Sequence, residues 1–466
     1  MKLDQKIINK LKKITGDKHF TTAREDLICY SYDATGVEYL PEAVIFPGNR
    51  EEISAIMTLA TSAGFPVVPR GAGSGFVGGA LPVEGGLVMS LKRLNRILEI
   101  DRDNMTALVE PGVVTGHLQK EVENIDLFYP PDPSSLKFCT IGGNVAMGSG
   151  GPRAVKYGVT RDYVMGLEVV LPTGEVISTG TKTAKGVVGY DLTRLMVGSE
   201  GTLGIVTKIL LRLIPKPQSK ITLLVEFPDT IHAGRAVSAI MASGVIPSVL
   251  ELIDESTLRC IRSNLSDPPA EDVKAILLIE ADGSETAIAE DSLVIERLCR
   301  EHGAVRIKKS KDKKESEDLW ATRRSISPSL YKLATKKINE DIAVPRDKVA
   351  ELIEGLGKIA EKYGVIMANF GHAGDGNIHV NIMINKGNEE EERRGAEAVK
   401  AVFKWALDLN GTISGEHGVG ISKQPYIEME LSPKEILLME GIKKVFDPSN
   451  ILNPGKIFPS KVLKND

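Results

Sequence analysis

Five glycines fall within residues 71–79 of the stretch "PVVPRGAGSGFVGGA". Such a run cannot sit inside a helix or strand, because glycine loses the most chain entropy on ordering. It dictates a tight loop whose backbone can approach another group closely. Upstream, "YLPEAVIFPGNREEISAIMTLATSAGFPVVPR" reads strand, turn, helix, strand, with Asn49 or the residue before it starting the helix and Gly64 ending it. Gly73, Gly75 and Gly78 satisfy GxGxxG. The dinucleotide form of that motif requires a helix directly after the loop and an acid about 20 residues further on. Here "ALPVEGGLVMSL" follows, with Pro82, Gly85 and Gly86 where the helix would run, and position 93 is Arg. The Rossmann reading is rejected. A loop without a helix still cradles a pyrophosphate through successive backbone N–H groups, and Arg70 would add a charge. Three more turn-rich segments follow: "YPPDPSS" at 129–135, "TIGGNVAMGSGG" at 140–151 and "VGSEGTLGIVT" at 197–207. Four loops converging on one extended ligand is the simplest account; four unrelated turns is the bland one.

Composition narrows the partners. The chain has 466 residues and a net charge of −4, so it lacks the basic surface that nucleic acid binding needs. Cys29, Cys139, Cys260 and Cys299 show no CxxC spacing. No disulfide framework, zinc ribbon or iron–sulfur cluster is expected, and a cytoplasmic location is. The start, "MKLDQKIINKLKKITGD", has no apolar core or cleavage site. Leu3, Ile7, Leu11 and Ile14 give it helical spacing, read as a surface helix rather than a membrane-touching one. No apolar run is long enough to span a membrane.

The style of the text changes after Pro215 and Pro217. "KITLLVEF", "KAILLIEADG" and "AVRIKK" read as strands, and "TIHAGRAVSAIMASG" and "ETAIAEDSLVIERLCREHG" as helices. The alternation predicts an α+β domain, an open sheet with helices on one face. Near the end, Ser432, Pro433 and Glu435 make a capping box for a last helix. The expected division is 1–217, 218–425 and a returning segment 426–466.

The chain holds seven histidines, and three of them stand in "NFGHAGDGNIHVNIM" and "SGEHGVG". In "NIHVNIMI", His379, Asn381 and Met383 share one strand face, and Ile378, Val380, Ile382 and Ile384 the other. An "AGDG" turn folds His372 back beside His379, with Asp375 read as a turn residue. Neutral imidazole is the commonest transition-metal ligand, and a carboxylate often completes the set; Glu416 is the obvious third. His417, adjacent to it, cannot comfortably point at the same ion and is left as a general base. Ordinary structural histidines remain the alternative on spacing alone.

These segments, with "YGVTRD" and "GYDLTRLMVGSEGTLGIVTKI", resemble the FAD-binding domain of the vanillyl-alcohol oxidase type. Over residues 20–460 the chain resembles its D-2-hydroxyacid dehydrogenase branch: D-lactate dehydrogenases, glycolate oxidase catalytic subunits and D-2-hydroxyglutarate dehydrogenases. The resemblance implies an α+β fold: a two-part FAD-binding domain and an α+β, ferredoxin-like cap domain. It implies non-covalent FAD, because residues 69–79 hold no tethering histidine. The pyrophosphate groups would be Pro69, Arg70, Gly71, Ala72, Gly73, Ser74, Gly75, Gly78 and Gly79. Pro131, Ser134, Thr140, Gly142, Gly143, Asn144, Tyr157, Gly158, Glu200, Gly201 and Ile205 would hold the rest, with Asn453 of "ILNPGK" against the ring. The family motifs GHxGDGNxHxN and SGEHGxG make His372, His379 and Glu416 ligands of a divalent metal (zinc, manganese or iron) and His417 the base.

In "LWATRRSISPSL", Arg323 stands where the family's substrate arginine stands, fit to fork a carboxylate. Ser327 lies one turn on, and Asn381 shares the face of His379. Lys337 is a weaker second cation. Where the D-2-hydroxyglutarate members place a lysine, this chain has Asn339, which favours small acids of the D-lactate or glycolate type. The implied reaction is metal- and base-assisted hydride transfer from the substrate carbon to FAD. With no cluster in the chain, electrons would pass to a partner: an iron–sulfur subunit, an electron-transfer flavoprotein or a membrane quinone system. That partner would be the route to any peripheral membrane location. Two rivals are a metal-dependent hydrolase whose glycine loops bind a nucleotide, and a flavin-bearing non-catalytic subunit.

Overall fold

The structure is a computed structural model that describes residues 3–265 and 267–459. The chain forms two compact units, one of residues up to 149, 159–216 and from 416 on, the other of 150–158 and 217–415. The expected boundary after 217 thus falls one residue earlier. The return to the first unit comes at Glu416 rather than at 426, so "SGEHGVG" is divided between the units. Residues 460–466 of the expected last segment lie outside the described residues.

The first unit carries two main sheets and a two-stranded pair of Leu127–Phe128 with Ile214–Pro215. In one, Val67–Arg70 and Ala43–Ile45 run parallel to Leu87–Ser90 between them, and Phe20–Thr21 closes the edge. The Arg50–Ala63 helix joins two of these strands, capped by the Asn49 side chain at Glu52 N–H and ended by Gly64 in the left-handed region. Its buried Ile53, Ile56, Met57 and Ala60 recur at helical spacing and pack with Ile7 and Leu11 of the first helix. Burying each such aliphatic side chain contributes roughly 1.5–3 kcal/mol. The second sheet is antiparallel, in the order Ile97–Asp101, Thr106–Val109, Ile205–Arg212, Val164–Val170, Val176–Gly180. After the glycine loop the next helix begins only at Thr115, in keeping with Pro82, Gly85 and Gly86 just beyond the loop.

The second unit is built on one antiparallel sheet of seven strands. Its order is Arg306–Lys309, Ser219–Phe227, Ala275–Gly283, Val249–Ile253, Ile366–His372, Asn377–Ile384, Lys336–Ala343. All eight residues of Asn377–Ile384 are buried, because both faces of the sheet are covered. On one face, Gly395 of the Glu389–Asp408 helix lies against Ile338 and Ile384. On the other, Leu224, Ile253, Ile276, Phe370 and Met383 pack with Leu258 and Ile261 of the Glu255–Ile261 helix and Ile326 of the Lys313–Ser329 helix. The expectation of helices on one face is corrected. The chain sends helices to the second face because that face too carries apolar residues, Leu224, Ile253, Ile276, Phe370 and Met383, beside its polar ones.

Candidate active site

Register places the histidines of the second unit. His379 faces Phe370 across the hairpin, and His372 faces Asn377. On the flanking strands Asp341 lies opposite His379 and Glu251 opposite His372. Gly376 makes the tight turn possible: its φ is +87°, and a Cβ there would strike the Val344 carbonyl. Asp341, His379, His372 and Glu251 therefore lie side by side on one sheet face, the face opposite Ile378, Val380 and Ile382. The imidazole centroids are 5.0 Å apart and the rings perpendicular, at 89°. His379 Nδ1 lies 3.7 Å from Asp341 Oδ1, which accepts from Asn377 Nδ2 at 2.6 Å.

The Lys313–Ser329 helix crosses this face. Ser316, Trp320, Arg323 and Ser327 recur at helical spacing, and each meets a polar partner. Ser316 is hydrogen-bonded to Thr222 at 2.7 Å, and Trp320 Nε1 donates to Glu280 at 3.0 Å. Arg323 donates through Nε and Nη2 to Glu251 Oε2, and its guanidinium lies over the Phe370 ring at 4.6 Å. Lys337 Nζ donates to Ser327 Oγ at 2.7 Å. Asn381 accepts from Asn339 Nδ2 and donates to the Ala368 carbonyl.

The other Glu251 oxygen is hydrogen-bonded to His372 Nδ1. Burial alone would raise the Glu251 carboxyl, but the charges of Arg323 and His372 outweigh it and hold the group well below the usual carboxylate range. Glu251 was not among the expected site residues. Its one sequence signal was an acid inside the apolar strand "VLELI", where an unpaired charge would be costly. Burial lowers the pKa of Lys337.

In the first unit the expected cofactor residues fall into several groups. Pro69 lies in the Val67–Arg70 strand, and Gly71, Ala72, Gly73, Ser74, Gly75, Gly78 and Gly79 form the loop after it. Arg70, expected near a pyrophosphate, is 5% exposed and donates to the Tyr32 carbonyl at 2.7 Å. Gly73 has room only for a hydrogen beside that guanidinium. Thr140 caps the Ile141–Met147 helix, and Asn144 Nδ2 donates to Thr115 at 2.7 Å. Gly142 packs on Pro111, and Gly143 N–H donates to Thr140 Oγ1. The Pro131 carbonyl accepts from Gln119, Ser134 is exposed, and buried Ile205 opens the Ile205–Arg212 strand.

Glu200, expected at the cofactor, accepts from Val419 and Gly420 N–H at 2.7 and 2.8 Å, and burial raises its carboxyl. Gly201 lies against Pro69. Tyr157 and Gly158 belong to the second unit, where Tyr157 donates to Asp282 at 2.9 Å. His417 stacks on Phe76 of the glycine loop, centroids 5.0 Å apart. Asn453 donates to the Gly79 and Glu200 carbonyls, while its Oδ1 is buried with no partner. An acceptor left open beside a glycine loop fits the N–H edge of a flavin ring.

Glu416 opens the returning segment of the first unit, directly after Gly415, whose N–H donates to the Asp341 carbonyl at 3.2 Å. Two imidazoles with neighbouring carboxylates are the donor types that zinc, manganese and iron accept. None of the four cysteines forms a disulfide. No helix among the described residues is long and apolar enough to cross a membrane.

A first unit whose strands are linked by glycine-rich loops, and a second unit built on one antiparallel sheet of seven strands, form the framework of the site. Residues 41–180 match the FAD binding domain family, and residues 216–457 match FAD linked oxidases, C-terminal domain. The chain belongs to the FAD-linked oxidases. It is 46% identical to the glycolate oxidase subunit GlcD of Bacillus subtilis, over 97% of each chain. It is 37% identical to a D-lactate dehydrogenase of Anaerostipes hadrus, over 90% of this chain and 89% of the relative. Among solved structures, p-cresol methylhydroxylase with substrate bound superposes with a TM-score of 0.80 at 19% identity, covering 99% of this chain and 97% of that one. That likeness is one of fold alone. Family membership displaces the hydrolase alternative.

Proposed function

We propose that this chain oxidises a small D-2-hydroxy acid, of the D-lactate or glycolate type, to the 2-oxo acid. The observation that carries the reading is the sheet face of the second unit, where two imidazoles and an arginine converge in a buried row. The names of the relatives, glycolate oxidase subunit and D-lactate dehydrogenase, point to the same substrate class. When bound, FAD would supply a hydride acceptor, and a divalent metal would supply Lewis acidity at the substrate oxygens.

His372, His379 and Glu416 would hold the metal. Arg323 offers its remaining guanidinium N–H groups to the substrate carboxylate, fixing its orientation; such positioning is worth several kcal/mol of barrier. His417 takes the hydroxyl proton at a ring nitrogen. Phe76 holds that ring by stacking. Lys337, which donates to Ser327, is the weaker candidate for a second cation, and Asn339 is neutral, which favours a substrate with a single carboxylate. Electrons leave to a separate acceptor protein or quinone system.

An anaerobic visible spectrum before and after D-lactate, glycolate and L-lactate tests the reading. Bleaching of a flavin band by D-lactate or glycolate, and not by L-lactate, is the expected result. A flavin band that none of them bleaches would overturn the substrate class. Folded protein with no flavin band after FAD is supplied would overturn the cofactor.

A further inference from the structure

We propose that Glu251 is a positioning residue that sets a metal-ligand histidine and the substrate arginine with one carboxylate. The proposal rests on the reading of His372 as a ligand and Arg323 as the carboxylate cation. Glu251 is fully buried on a central strand and divides its two oxygens: Oε1 to His372 Nδ1, Oε2 to Arg323 Nε and Nη2.

Each contact has a chemical consequence. An anionic oxygen at Nδ1 requires a proton there. That fixes the tautomer in which Nε2 carries the lone pair, and it sets the ring's orientation. At Arg323, the carboxylate takes the Nε side of the guanidinium. The Nη1 side is left to fork an incoming carboxylate, and Phe370 holds the plane from one face. The two functional groups therefore cannot be adjusted separately. A side chain that serves one donor and not the other must release either the ligand or the arginine.

Glu251→Gln makes that demand with little change of volume. Its single acceptor oxygen can serve His372 or Arg323, and its NH2 repels whichever donor it meets. The measurement is metal per FAD in purified protein, then metal retained during titration with a chelator. KM and kcat for the D-2-hydroxy acid are measured alongside. FAD content and the melting curve report folding. Glu251→Asp, which keeps the charge and shortens the reach, gives the same readings should the glutamine variant not fold.

The expected result is metal retention weakened by about 10–100-fold, the usual cost of losing an outer partner of a ligand, with KM raised as well. His372→Ala and Arg323→Lys separate the proposal from its premise. If His372→Ala keeps its metal, the ligand reading fails. If Arg323→Lys leaves KM unchanged, the substrate reading of Arg323 fails. If both behave as a ligand and a substrate cation should, while Glu251→Gln and Glu251→Asp retain metal and KM as the parent does, the role of Glu251 is overturned.

Discussion

Arg323 could be picked out in the sequence as a candidate because a carboxylate substrate calls for an arginine, and the Trp-Ala-x-Arg text offers one. Its partner could not. Glu251 is far from it in the chain, and only the register of Val249–Ile253 against Ile366–His372 brings that acid to the same face. Arg70 shows the same limit: a cation before a glycine loop suggests a phosphate contact, and no local pattern announces that its guanidinium also donates to the Tyr32 carbonyl. His417 is the residue whose expected role is sharpest. His417→Ala should keep flavin and metal but slow flavin reduction by substrate at least about 100-fold, the scale of general-base assistance. Stopped-flow reduction under anaerobic conditions reads this directly, and rapid reduction in that variant would refute its role.

Elements were read well where local chemistry governs them. The Asn49 and Ser432 caps stand where expected, and the Pro433–Phe446 helix carries its capping box. The hairpin at 366–384 also followed from its alternation and its Asp-Gly turn. A less visible cap contributes to the pH response of the second unit. Asp254 caps the Glu255–Ile261 helix and accepts from Asn369 N and Nδ2 at 2.9 and 2.8 Å. Burial raises its carboxyl from 3.8 to about 6, the hydrogen bonds from Thr257 and Asn369 opposing the rise. The folded state therefore keeps a proton that the unfolded chain has released. Its contribution is fully present below about pH 4 and is lost as pH rises through about 6, a loss of up to about 3 kcal/mol by linkage. Relative to Asp254→Asn, the parent should lose stability between pH 4.5 and 7.5. Denaturant midpoints of the two proteins at both values test this, and a constant difference would contradict it.

At the scale of the molecule, the cofactor and the fold are coupled by mass action. A ligand that binds only the folded first unit stabilises it by about 2.7 kcal/mol at a hundredfold excess over Kd. Adding FAD to the apoprotein should raise Tm progressively with concentration. A Tm indifferent to FAD would argue against a dissociable flavin. The sequence by itself determined the class of fold, the glycine loops and the histidine-bearing hairpin. Each of these is written in local text: glycine conformational freedom, strand alternation, cap chemistry. It left open which residues pair across the sheet and which chain segments group together. Residues 150–158 join the second unit and Glu416 the first, against a reading that kept each stretch of text whole. Only the tertiary structure decided those points, because strand register and burial depend on contacts between residues far apart in the chain, and no local pattern encodes which acid will meet which arginine.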